Sequence, residues 1–473
     1  MNPVTEENAK DGTSAWLPDR PAPVTAATRA TPIEGYCSAT SVRAGDTLAL
    51  YVSTDPAAEW SLEIFRSGYY GGLGARLVAS YGPYRGSVQP TPEVGPYRIR
   101  ACDWAESLSI DIPADWVSGV YLGKLTEHGS GYQSYVIFVV ADDRDCDLIV
   151  QCSDLTWQAY NRWPDVHSIY DDGYDNGMYW GPGVGVSFQR PYGKYRQLVD
   201  SALSTGSGEW FLWEFPFSFW AERSGYDVSY ISTLDLHAGP ETLRRARGFI
   251  SVGHDEYYTA DMFRHLSQAV DGGLNVAFLS GNAVYGQATP VPHPPRSVIR
   301  TDVFAAREPD MFRIIPTLAY LPYDAPDGKD LLGSRSTYPC MGGGDWTCVL
   351  PDHWVFAGTG MKYGDAIRGL VGWETHGLVT EARPVEVIAA GTVSSHWGTG
   401  PYAATVYSAS RGNVVFNAAT IYWSEALAAP PGHIRPDQYL PRNGPDPRVQ
   451  AITRNLLLRF IQSPRLRDHE QTG

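Results

Sequence analysis

The sequence predicts an α/β protein preceded by an all-β, immunoglobulin-like sandwich, and three observations carry that prediction. Short alternating runs separated by turn residues fill Pro32 to Val140; unbroken apolar runs alternate with helical periods from about residue 148 to 465. The third is composition: 473 residues with 43% hydrophobic and 19% charged side chains, 48 Gly, 35 Pro, 29 Tyr and 15 Trp. At roughly 100–200 residues per domain the chain holds about two to four domains, enough to bury a large core without disulfides or structural metals. So low a charge fraction excludes a coiled coil and wholesale disorder.

Residues 1–27 are polar, end in a Pro/Ala cluster and read as a flexible arm. Over 28–142, the runs YCSATSVRAGDTLALYVST, WSLEIFRSG, SLSIDIPADWVSGVYLGKLTE and YQSYVIFVV alternate with almost no helical period, as strands of an antiparallel sandwich do. Ala141 to Asp147 reads as the linker. In the α/β domain, 146–465, DLIVQCS, YDVSYIST, GFISVG, LNVAFLSG and GNVVFNAA lack alternation, the mark of strands covered on both faces. ADMFRHLSQAVDGG places Met262, Leu266 and Val270 on one helical face and stops at a glycine pair. Irregular insertions fall at 160–195 and 285–355, and 466–473 reads as a tail.

The net charge of -15, from 37 basic and 52 acidic residues, opposes a phosphate backbone, so nucleic acid is excluded as a partner. The first residues hold no apolar signal core, and no window of about 18 apolar residues exists, so the expectation is a soluble, cytoplasmic protein that does not engage a membrane. Cys37, Cys102, Cys146, Cys152, Cys340 and Cys348 are too sparse for a disulfide framework and lack zinc spacing. They read as buried thiols, with the pairing of Cys340 and Cys348 left open.

Ligands of open α/β sheets sit beyond the carboxyl ends of strands, so residues just after the apolar runs are the first candidates for chemistry. No GxSxG, HExxH or GxxxxGK[ST] pattern is present, and GPGVGV at 181–186 follows no apolar run. In GFISVGHDEYYTADMF a strand ends at Gly253, His254, Asp255 and Glu256 follow, and Thr259 caps the next helix. A His and a Glu so placed can converge on one ligand or metal; an ordinary capping loop is the alternative. CSDLTWQAYNRWPDVHSIYDD sets Tyr160 and Asn161 beside Trp157 and Trp163, a candidate site or a packed aromatic lid. In VSFQRPYGKY, Pro191 fixes the chain between Arg190 and Tyr192. FLSGN and GLVGWE put Asn282 and Glu374 at strand ends, where an amide can donate to an oxyanion and a carboxyl in aromatic surroundings can have a raised pKa; a turn residue and a structural acid are the alternatives.

Taken with DLIVQCSDLTWQAYNRW, PDHWVFAGTGMKYGDAIRGLVGWE, NAATIYWS, and GYCSATSVRAGDTLALYVST and FRSGYYGGLGARL nearer the start, these segments make the chain from about residue 30 onward similar to the C-terminal region of the N,N-dimethylformamidase large (beta) subunit family. The resemblance implies an α/β domain of the class I glutamine-amidotransferase-like fold and a mononuclear, ferric iron held by two tyrosines and a glutamate. By motif the glutamate is Glu256 and the tyrosines Tyr160 and Tyr192, with Tyr170, Tyr257 and Tyr258 as competitors. His254, Asn282 and Glu374 become the catalytic candidates.

Hard oxygen donors suit a trivalent ion, which lowers the pKa of bound water and polarises a carbonyl. The expected activity is therefore iron-dependent hydrolysis of a carbon–nitrogen bond in a small linear amide, alone or as a homo-oligomer or with a small accessory subunit. Redox chemistry at the same iron is disfavoured by the all-anionic donor set. The rival is a non-catalytic protein whose aromatic loops hold a carbohydrate or peptide.

Overall fold

The computed structural model describes residues 2–25, 28–95, 98–171, 185–193, 205–291, 298–302, 327–339, 341–433 and 444–470. Its architecture is mixed α/β, with helices and several β-sheets. Near the N-terminus, Glu34–Cys37, Thr47–Ser53 and Leu108–Asp111 form a three-stranded sheet. A five-stranded sheet runs in the order Ser41–Val42, Gln133–Val140, Gly119–Glu127, Glu59–Ser67, Ala75–Arg85. Alternation in these strands sends Leu48, Leu50 and Ile110 of one sheet and Leu62, Ile64, Leu125 and Val136 of the other into a common core.

The segment expected to be a flexible arm is packed instead. Asn2 caps a helix over Pro3–Asn8, and Trp16 is fully buried, stacked on Phe211 at 5.2 Å. Two polar residues explain the order. Glu7 accepts from Tyr70 and Arg76 in the β-rich region, and Asn8 reaches Glu222 on the helix Glu214–Arg223 at 2.6 Å. Glu222 in turn pairs through both oxygens with Arg66, each contact 3.0 Å, with both side chains fully buried. The polar run that looks like a solvated arm is therefore the outer layer of a buried ion network joining the N-terminal sheets to the rest.

The five apolar runs become the parallel part of a nine-stranded sheet, in the order Val228–Ser232, Leu148–Cys152, Gly248–Gly253, Asn275–Ser280, Val414–Asn417. Helix Ala260–Gly272 follows Gly248–Gly253, as its period predicts; Thr259 Oγ1 accepts from the Met262 N–H, and Gly273 at φ 117° ends it. Four antiparallel strands extend the sheet: Gly398–Ser408, Glu386–Ser395, Gly342–Thr347 and Ala366–Trp373. This extension folds back on the parallel part. Thr420, just beyond Val414–Asn417, bridges Thr375 and donates its hydroxyl to the Leu370 carbonyl at 2.7 Å.

Cys37, Cys102, Cys146, Cys152 and Cys348 are free thiols, and Cys340 lies outside the described residues. The expected tail begins with a short helix, Leu466–Glu470. Among the described residues no helix is long and apolar enough to cross a membrane.

Candidate active site

Three adjacent strand ends and the returning edge strand assemble the site. Gly253, at φ 69°, turns the chain out of its strand where an added Cβ would stand 2.2 Å from Trp213. The next three residues then divide their tasks. Asp255 turns inward and accepts from Ser251 and Tyr258 at 2.7 Å and from Gln151 at 3.0 Å. Burial pushes its carboxyl up to about 6 against those hydrogen bonds, and it serves to hold the turn. Thr156 Oγ1, at the start of the helix Asp154–Tyr160, accepts the backbone N–H groups of Glu256 and Tyr257.

His254 and Glu256 are thereby left facing one cluster. His254 Nε2 lies 3.0 Å from Glu374 Oε2 and 3.2 Å from Glu256 Oε2, while its Nδ1 lies 3.5 Å from Glu209 Oε2. Burial alone would drive the imidazole towards its neutral form; the Glu374 carboxylate, with Glu209 and Glu256, outweighs it and holds His254 well above its ordinary value. Tyr160, at the end of its helix, donates to Glu256 Oε2 at 2.5 Å and meets the Tyr170 hydroxyl at 2.9 Å. Tyr170 also touches Glu256 Oε1 at 3.3 Å and the Tyr257 hydroxyl. Burial first, then the Glu256 charge, raises both Tyr160 and Tyr170 well above the usual phenol range, so they are neutral donors.

Asn282 and Glu374 follow different strands, whose ends meet where Gly281 touches the backbone of Glu374. Gly281 packs so tightly on the Glu374 carbonyl that a Cβ there would stand 2.2 Å from it. Asn282, at φ 56°, accepts from the Ser336 hydroxyl through Oδ1. Behind it the Ala283 N–H donates to His376 Nε2 at 2.9 Å, and His376 Nδ1 is 2.8 Å from Asn417 Oδ1, which fixes the tautomer. With this geometry in view, a family model described as N,N-dimethylformamidase beta subunit-like, C-terminal, matches residues 61–438. The chain belongs to this family. The matched span begins after the first strands, later than the resemblance from about residue 30 suggests, and takes in every residue of the cluster. No curated protein matches the chain.

Family membership does not bring the expected iron centre with it. Among the described residues no group of three or more His, Cys, Asp or Glu side chains is disposed to hold a metal ion. The expected donors do not all meet, either. Tyr192 packs edge-on against Trp157, with ring centroids 6.2 Å apart, and its phenol is held by Gln158, whereas Tyr160 and Glu256 are bonded directly to each other. The expected iron cofactor, metal-binding assignment and iron-dependent mechanism are accordingly corrected.

Glu209 is the residue that sequence reasoning missed. Its signal is present in TGSGEWFLW, a lone acid between glycines and large aromatics, which is where a buried acid is found.

Proposed function

We propose that the chain hydrolyses the carbon–nitrogen bond of a small linear amide. The observation that carries this reading is the buried His254 imidazole held between Glu256 and Glu374 beyond the ends of parallel strands. Glu374, whose side chain is 13% exposed against 1% for His254, is the acid that reaches incoming water. It takes a proton as the water oxygen bonds to the amide carbon. The developing oxyanion accepts a hydrogen bond from the Asn282 amide. His254 passes its Nε2 proton to the amine nitrogen as the C–N bond breaks, and recovers one from Glu374, so each turnover consumes one water and returns every protein group to its starting form. Tyr160 and Tyr170 hold Glu256 in place, and Glu256 keeps the imidazole charged.

Family membership supports the reaction class. We read the two N-terminal sheets that share a core as an immunoglobulin-like sandwich over 28–142, and the domain built on the parallel strands, over 146–465, as glutamine-amidotransferase-like. The binding-protein alternative draws no support from the aromatics, because Trp157, Trp163, Trp210 and Trp213 are buried rather than displayed.

The test is amine release from a panel of formamides, acetamides and their N-methyl forms by purified protein and by its His254→Gln variant. Turnover that falls ~10²–10⁴-fold in a folded variant supports the assignment. Failure to release amine from any of these amides overturns it.

A further inference from the structure

Glu209 belongs to no motif, yet its placement is tightly specified. It lies in Thr205–Trp213, a turn-rich segment leading into the helix Glu214–Arg223. Two glycines pin that segment. An added Cβ would stand 1.8 Å from the Tyr135 carbonyl oxygen at Gly206 (φ 87°) and 2.4 Å from the Trp157 ring at Gly208 (φ 62°). The Glu209 carbonyl then accepts from the N–H groups of Leu212 and Trp213, at 2.9 and 3.2 Å.

The carboxylate so delivered is 1% exposed, and neither of its oxygens has a hydrogen-bond partner among the described residues. Burying an acidic side chain without a hydrogen-bond donor is costly, which gives weight to the basic group that stands beside it. His254 Nδ1, at 3.5 Å, is the basic group within ion-pair distance among the described residues. The neighbouring acid Glu214 is differently engaged, its Oε1 accepting from Trp157 Nε1 at 2.9 Å and from the Ser153 N–H at 3.2 Å.

We infer that Glu209 is a positioning residue for His254: its carboxylate holds Nδ1–H and fixes the ring plane so that Nε2 stays directed between Glu374 and Glu256. An acid behind a histidine acts in this way in hydrolytic triads, where it sets orientation and supports the imidazolium without itself taking the proton. The inference rests on the function proposed above only in giving His254 its proton-carrying role.

The experiment is ¹⁵N-histidine NMR on the full chain, comparing wild type with Glu209→Gln, Glu209→Asp and Glu214→Gln, and using His254→Gln to assign the signal. Expected are a downfield Nδ1–H proton for His254 in wild type, an upfield move in Glu209→Gln, an intermediate position in Glu209→Asp and no change in Glu214→Gln. On any amide the protein turns over, Glu209→Gln lowers kcat with KM little changed. The inference is overturned by an unmoved signal in folded Glu209→Gln, or in Glu209→Asp should the first variant fail to fold. It is also overturned by an equal move in Glu214→Gln, or by the absence of the downfield proton in wild type. The signal is read without substrate, so a chain that cleaves no amide but shows this pattern keeps the Glu209 assignment and loses the proposed function.

Discussion

His254 Nε2 and Glu374 Oε2 stand 3.0 Å apart although one residue follows a parallel strand in the middle of the nine-stranded sheet and the other follows its antiparallel edge strand. The contact exists because the antiparallel strands fold back, with Thr420 bonded to Leu370 and bridging Thr375. Glycine 281, pressed against the Glu374 carbonyl, sets the final separation.

Gly281→Ala should therefore displace Glu374. The added methyl would meet that carbonyl at 2.2 Å, well inside contact distance, and overpacking of this kind costs about 1–3 kcal/mol. Amine release should fall more steeply than the thermal midpoint. A folded variant with wild-type turnover would show that the separation of the two strands is not set here.

Tyr160→Phe keeps the ring against His254 and Tyr170 but deletes the donor at 2.5 Å from the buried Glu256 carboxyl. The loss should be about 1–3 kcal/mol in urea unfolding, because the acceptor remains buried with one partner fewer. An unchanged midpoint would mean that Tyr170 alone satisfies Glu256.

Stability should depend on acid through His376. Burial holds its folded value down at about 4, below the ordinary 6.5, so on acidification the unfolded chain takes the proton first. Its contribution is complete above about pH 6.5 and is lost as pH falls towards 4, by on the order of 3 kcal/mol at 1.36 kcal/mol per unit. Unfolding free energy measured across that window should have a steeper slope in wild type than in His376→Gln. Identical slopes would remove this histidine from the acid response.

Glu222→Gln should loosen the N-terminal region. It leaves Arg66 buried without its bidentate partner and weakens the contact with Asn8, and breaking a buried pair costs about 3–5 kcal/mol. Protease cleavage within the first residues should accelerate in the variant. Cleavage at the wild-type rate would mean that Trp16 and Glu7 suffice to hold the segment.

The sequence exposes the parallel strands because strands covered on both faces must be apolar throughout, and it exposes His254, Glu256, Asn282 and Glu374 because a strand end is a recognisable position. The antiparallel extension is harder to read, since a strand such as Gly342–Thr347, with the sequence GGGDWT, has little β propensity and is specified by its neighbours. Tyr192 illustrates another limit. Pro191 constrains the backbone beside it, but nothing local says which way the ring points, and packing on Trp157 decides. Trp16 among polar residues, and Glu209 just after two glycines, owe their burial to partners far along the chain, which no local window contains.

The return of the edge strand also bears on the order in which the protein acquires its properties. Closing long loops costs entropy that is recovered only when both ends are in place. Four of the parallel strands lie within 148–280, whereas the fifth, Val414–Asn417, and the edge strand before Glu374 both come from beyond residue 365, so the meeting of Glu374 with His254 closes a loop of more than a hundred residues. Competence of the site is thus a late event in folding. A molecule capable of occupying it discriminates the finished chain from compact intermediates that already contain most of the secondary structure.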